Sequence, residues 1–236
     1  MIPLRDSNPT RRTPIVTLAL IGACFVAFAY ELGLLATSEA TLNAFITEWG
    51  VVPIDITSVW ERGALASQET ATLFASQFLH GGWLHLLGNM LYLWIFGNNI
   101  EDRLGRARFI VFYLGGGLVA ALAQTAIDPS SPVPMIGASG AIAATLGAYL
   151  VLFPRARITT LVFLGFFYQL INVPAIVVLG FWFVLQLMDG LASLGPDRAG
   201  GGVAFFAHIG GFVAGALLAR VFTIGRRDPG RPGRVG

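Results

Sequence analysis

The sequence predicts an all-α, polytopic membrane protein, a bundle of six transmembrane helices with both termini cytoplasmic.

 

Three observations predict it. The chain of 236 residues is 55% hydrophobic but only 12% charged, whereas soluble domains carry about 25% charged residues. Apolar runs of roughly 20 residues, the length that crosses a bilayer, recur along it. The fifteen basic residues are all Arg, and their alternation between connections is a topology signal. The length fits one membrane domain. Cys24, the single cysteine, lies in an apolar run, which excludes an intramolecular disulfide and suits a packing role.

In chain order, residues 1–13 form a polar cytoplasmic segment with Arg5, Arg11 and Arg12. The membrane domain is expected over 14–224. Its first span, at about 14–34, is too long for a signal peptide and lacks a convincing cleavage site. The connection 36–79 carries Glu39, Glu48, Asp55, Glu61 and Glu69 against Arg62. Its apolar pieces (VVPI, TSVW, TLFASQFL) imply that it packs on the bundle or dips into the interface. The second span follows at about 83–99, then Arg103, Arg106 and Arg108, then a third span at about 109–127. DPSSPVP at 128–134 is turn-rich. A fourth span at about 138–153 ends at Pro154 and is followed by Arg155 and Arg157. The apolar block 158–187 is long enough for a fifth span plus an interfacial piece, joined near Asn172 and Pro174. GPDRAGGG at 195–202 is a loop, the sixth span covers about 203–224, and 225–236 is an Arg-rich cytoplasmic tail.

With six spans, one side of the membrane holds thirteen Arg, counting Arg220 with the tail. The other side holds Arg62 and Arg198, together with acids that include Asp128 and Asp197. Arg-rich connections stay cytoplasmic. Spans two, four and six then start at the outer face, and each starts with a polar cluster. HGGWLHLLGN at 80–89 brings His80, His85 and Asn89; GASG at 137–140 brings Ser139; AHIGG at 207–211 brings His208. The topology rests on Arg alone, so this convergence at one depth is independent of it.

The chemistry follows from the residue types. A serine is a poor nucleophile until a base takes its proton, and histidine is the usual base near neutral pH. Gly211 and Gly215 give helix six a small-residue face that can approach the small residues after Ser139, including Gly140, and so bring His208 to the hydroxyl. His85 and Asn89 are four apart and share a helix face. With the Ser139 backbone N–H they can donate toward a developing oxyanion. Taken singly, His208 is equally a buried polar residue with a backbone partner, and His85 and Asn89 are equally interhelical glue, worth about 0.6–2 kcal/mol. His80 precedes the helix and suits pinning the long first loop. No H-E-x-x-H is present, so no metal or other cofactor is expected. An aspartyl mechanism needs two membrane Asp, and only Asp189 lies near a span. GASGA is not G-x-S-x-G and no strand precedes it.

These residues resemble the rhomboid family of intramembrane serine proteases. The resemblance lies in HGGWLHLLGNMLYLWIFGNNIEDRLG at 80–105, IGASGAIAATLGAYL at 136–150 and AHIGGFVAGAL at 207–217, in the family's order and spans. It implies a Ser139–His208 dyad without an Asp, flanked by Gly137 and Gly140, with His85, Asn89 and the Ser139 amide at the oxyanion. It also implies His80 in a loop-supporting place and Glu101 and Arg103 as a cytoplasmic E-x-R pair. Expected partners are transmembrane protein substrates, cut near their outer end after a small residue, and the lipid bilayer; no nucleic acid is expected. The expected location is the inner (plasma) membrane. Two features depart from the family pattern. The Trp-Arg pair often found in the first loop is absent. The aromatic four residues after the serine is replaced by Ala143, so His208 is expected to be oriented by Phe205 or Phe206. Helix five, with Phe181, Trp182 and Phe183, is bulky and is expected to be the looser element. Two alternatives remain at this point: a non-catalytic relative that binds transmembrane clients, and a small transporter.

Overall fold

In a computed structural model, the described residues are 2–64, 66–164, 167–194 and 204–226. The loop holding Asp197 and Arg198, and the tail from 227, lie outside them. Among the described residues, four helices are long and apolar enough to cross a membrane: α1 (Ile15–Thr37), α7 (Arg106–Ile127), α9 (Ala175–Ala192) and α10 (Phe205–Phe222). Between them run a helical rod and a shorter apolar helix. The rod consists of α5 (Trp83–Tyr92), a π-helical segment (Leu93–Gly97) and α6 (Asn98–Leu104). The shorter helix is α8 (Ser139–Leu152). The chain is thus a multi-pass helical membrane protein.

Helix α8 is the centre. Every residue from Gly140 to Tyr149 is buried. A helix apolar on all faces has no polar side to turn outward and is enclosed by others. Small residues set how closely its neighbours come. A Cβ at Gly215 would overlap the Ala144 carbonyl, and one at Gly211 would overlap the Gly140 carbonyl. From the other side, a Cβ at Gly147 would overlap the Phe212 carbonyl. Helices α8 and α10 therefore meet backbone to backbone, the contact that small residues permit. Helix α9 packs differently: Phe181, Val184, Leu185 and Met188 are exposed along it.

The long first connection is structured. It forms α2 (Glu39–Trp49), α3 (Pro53–Glu61) and α4 (Gln68–Ala75), and then a 3-10 turn (Ser76–Phe78). Ser38 and Ser67 cap α2 and α4, accepting from the N–H groups of Thr41 and Thr70. Val51, Ile56 and Leu73 are buried together under it. The connection is tied down without a Trp-Arg pair. Val51 and Met135 form a β-bridge, Gly137 N–H donates to Ser76 O at 2.9 Å, and Gln77 Nε2 donates to Leu73 O and Leu114 O.

At the opposite end of the bundle the structure adds to the helical expectation. A three-stranded antiparallel sheet is formed by β1 (Ile2–Asp6), β2 (Arg157–Leu164) and β3 (Phe167–Pro174), in that order. The interfacial piece before α9 is thus a hairpin, paired from Arg157↔Pro174 to Leu164↔Phe167. Its β-branched and aromatic content favours strand over helix. Ile158 and Thr160 are buried at alternate positions of β2, as a strand with one covered face requires. The polar N-terminal segment supplies β1, so it is built into the molecule. Asp6 accepts from Tyr149 Oη at 2.8 Å and Asn99 Nδ2 at 2.7 Å. Burial pushes its carboxyl up from the ordinary value, against those hydrogen bonds.

Glu101, at the same end, caps α1. Its carboxylate accepts from the N–H groups of Val16 at 3.0 Å and Thr17 at 2.8 Å and from Thr17 Oγ1 at 2.8 Å. A carboxylate there meets the orphan donors and the positive end of the helix dipole. Arg103 lies in the last turn of α6. Gly105, at φ +81°, makes the tight turn into α7.

Candidate active site

Three helix N-termini meet at the end of the bundle away from the sheet. Ser139 is the first residue of α8. His208 is one turn into α10, whose first N–H groups, at Phe206 and Ala207, donate to Gln124 Oε1 of α7 at 3.0 and 3.3 Å. This cap fixes where α10 begins. His208 Nε2 then lies 2.7 Å from Ser139 Oγ. An imidazole nitrogen at that distance from a hydroxyl is the arrangement in which a base can take a serine proton.

His85 and Asn89 lie on one face of α5, beside Gly137. Gly137 has φ +124°, and a Cβ there would sit 2.8 Å from His85 Nε2 and 3.7 Å from Asn89 Nδ2. Only glycine suits both the backbone angle and the close approach. The Gly81 N–H donates to His85 Nδ1 at 3.4 Å, so in the neutral ring the proton is on Nε2 and faces Gly137. Asn89 Nδ2 is buried and has no hydrogen-bond partner among the described residues. Buried donors are normally paired, and here two donors converge next to Ser139. His80 is buried, its N–H donates to the Glu31 carboxylate at 3.1 Å, and its ring meets that of His85 edge-on at 5.2 Å. Burial first and His85 second hold His80 down at about 4, so it is neutral near pH 7.

A cavity of about 520 Å³ opens onto the serine between α5 and α9, lined by His85, Asn89, Ser139, Trp182, Gln186 and His208 among others. Phe205 and Phe206 do not orient His208. They pack over Gly190, where a Cβ would lie 3.4 Å from Phe205 Cβ and 3.6 Å from the Phe206 ring. Trp182 does approach it, with ring centroids 6.0 Å apart, and Gln186 Oε1 lies 2.7 Å from His208 Nδ1. Sequence reasoning missed Gln186, Gln124 and Glu31. The available signal was a polar residue inside an apolar run, which faces the bundle interior rather than lipid. Among the described residues no cluster of His, Cys, Asp and Glu could hold a metal ion.

The rhomboid domain family model matches residues 67–224, which contain every residue of this site except Glu31. The chain belongs to the rhomboid family. This rhomboid is 34% identical to the rhomboid protease GluP of Bacillus subtilis, over 67% of this chain and 27% of the relative. It is 31% identical to the mitochondrial Rhomboid protein 1 of Saccharomyces cerevisiae, over 62% and 40% respectively. It is 31% identical to RHOMBOID-like protein 4 of Arabidopsis thaliana, over 86% and 46%. The matched part is less than half the length of each of these relatives. At the family level, membership supports an intramembrane protease.

Proposed function

We propose that this rhomboid is a serine endopeptidase that cleaves transmembrane proteins near their outer membrane face. The observation that carries the reading is the 2.7 Å contact between Ser139 Oγ and His208 Nε2. His208 Nε2 takes the hydroxyl proton as Oγ attacks the scissile carbonyl. The oxyanion forms beside Gly137 and accepts from His85 Nε2, Asn89 Nδ2 and the Ser139 N–H. His208 passes its proton to the leaving amine, and water then hydrolyses the acyl-enzyme with His208 again as base. The unpartnered Asn89 Nδ2 supports this role, since its acceptor arrives only with substrate. Depth supports it too. The 14 residues of α8 rise about 21 Å, short of the ~30 Å hydrocarbon core, which supports a start for Ser139 below the surface. The Arg distribution supports six crossings with cytoplasmic termini.

The test is labelling by a fluorophosphonate probe together with cleavage of a transmembrane reporter. Ser139→Ala and His208→Ala each abolish both, and the double variant is no worse than either single, because the pair acts as a unit. Absence of labelling in the intact, folded protein would favour a rhomboid that only binds its clients, and cleavage by Ser139→Ala would end the protease assignment.

A further inference from the structure

Ser139 and His208 are held by α8 and α10, whose backbones touch. The partner of the far imidazole nitrogen is on neither helix. We propose that Gln186, on α9, is a positioning residue that sets the tautomer and orientation of His208, so that the base is ready only when α9 is docked. The inference rests on the Ser139–His208 reading and deepens it.

A neutral imidazole carries one N–H. With Nδ1–H donated to Gln186 Oε1 at 2.7 Å, the Nε2 lone pair faces Ser139 Oγ at 2.7 Å. The other tautomer would point Nε2–H at the hydroxyl, and no proton could leave it. Trp182 and Gln186 are four apart and project from one face of α9: the indole lies beside the imidazole, tilted 40° to it with 6.0 Å between centroids, and the amide holds its edge. Gln186 is neutral, so it orients the ring without the charge that a carboxylate would lend to the imidazolium. Among the described residues, the titratable group acting on His208 is His85, across the cavity on α5.

Because α9 also forms one wall of the cavity, its displacement couples access to competence. A shift of roughly 1 Å carries a 2.7 Å contact beyond hydrogen-bonding distance. A substrate segment that enters by parting α9 from α5 therefore meets an unoriented base until α9 returns.

The test compares Gln186→Met, similar in shape but unable to accept this hydrogen bond, with Gln186→Glu, which accepts it from Nδ1–H only. kcat and KM for a transmembrane reporter are measured in liposomes from about pH 3.5 to pH 9, which extends below the ordinary titration range of histidine, with thermal unfolding alongside. Gln186→Met should lose about 10- to 100-fold in kcat, as for loss of other orienting partners, with KM little changed. Gln186→Glu should keep kcat within a few-fold and move the acidic limb of the profile to higher pH, because a carboxylate stabilises the protonated ring. Gln186→Ala, scored by fluorophosphonate labelling rate, replaces Gln186→Met if that variant fails to fold. Wild-type kcat in Gln186→Met, wild-type labelling in Gln186→Ala, or an unmoved acidic limb in Gln186→Glu overturns the inference. If Ser139→Ala is inactive in the same assay while Gln186→Met is unaffected, the dyad stands and only the role of Gln186 falls; if Ser139→Ala still cleaves, the dyad falls.

Discussion

The sharpest consequence of the packing concerns Gly215. Replacing it by Ala adds one methyl group where α10 crosses α8. That Cβ would overlap the Ala144 carbonyl and lie 2.6 Å from Ala144 Cα, whereas ordinary contact begins at 3.4 Å. The atoms in the way are backbone, so no rotamer change relieves the overlap. The helices must part by roughly 1 Å, and overpacking of this kind costs about 1–3 kcal/mol or more. The same separation carries the 2.7 Å Ser139–His208 contact beyond the limit of a hydrogen bond. Misplacement by about 1 Å can lower a rate on the order of 10²-fold. Gly215→Ala should therefore lower both the thermal midpoint in detergent and the rate of reporter cleavage, and Gly215→Leu should destroy both. Gly115 on α7 is the control. A Cβ there meets nothing among the described residues within 4 Å, and Ala is favoured over Gly in a helix by about 1 kcal/mol, so Gly115→Ala should be neutral or stabilising. A Gly215→Ala protein with the melting temperature and cleavage rate of the wild type would refute the reasoning.

Three further outcomes are expected. Asn89→Ala should lower kcat on the order of 10²–10³-fold without abolishing it; an unchanged kcat would leave Asn89 a structural residue. Phe181 is 48% exposed on α9, so Phe181→Ala should maintain or raise cleavage of an embedded reporter, whereas Trp182→Ala frees the His208 ring and should lower kcat; the reverse order would mean that Trp182 serves only as a gate. His80 is held at about 4 against an ordinary 6.5, so the unfolded chain takes up a proton first as pH falls. Its contribution to stability is full above about pH 6.5 and is lost as pH falls from there to about 4. Thermal unfolding across that window should show a decline that His80→Asn flattens, and an identical decline in the variant would exclude His80 as its source.

Much of this protein was legible in the chain itself. Apolar run length is set by the bilayer, and Arg placement by orientation, so the membrane class and the shared depth of the three polar clusters follow from one dimension. The small-residue faces at Gly211 and Gly215 were legible because close helix approach requires them. The sheet was harder. An apolar block that is partly strand and partly helix looks continuous by hydropathy, and β-branched residues such as Ile158, Thr159, Thr160, Ile171 and Val173, with the aromatics beside them, marked the difference. Tertiary structure alone decided which side chain meets which across helices. A helix face can be inferred from spacing, but its rotation against a neighbour is set by packing. Spacing therefore could not assign Gln186 to His208 Nδ1, Gln124 to the start of α10, or Glu31 to the His80 N–H. Each is a polar residue on one helix that serves a backbone or ring atom of another element, and no local pattern in a single stretch of sequence records the partner.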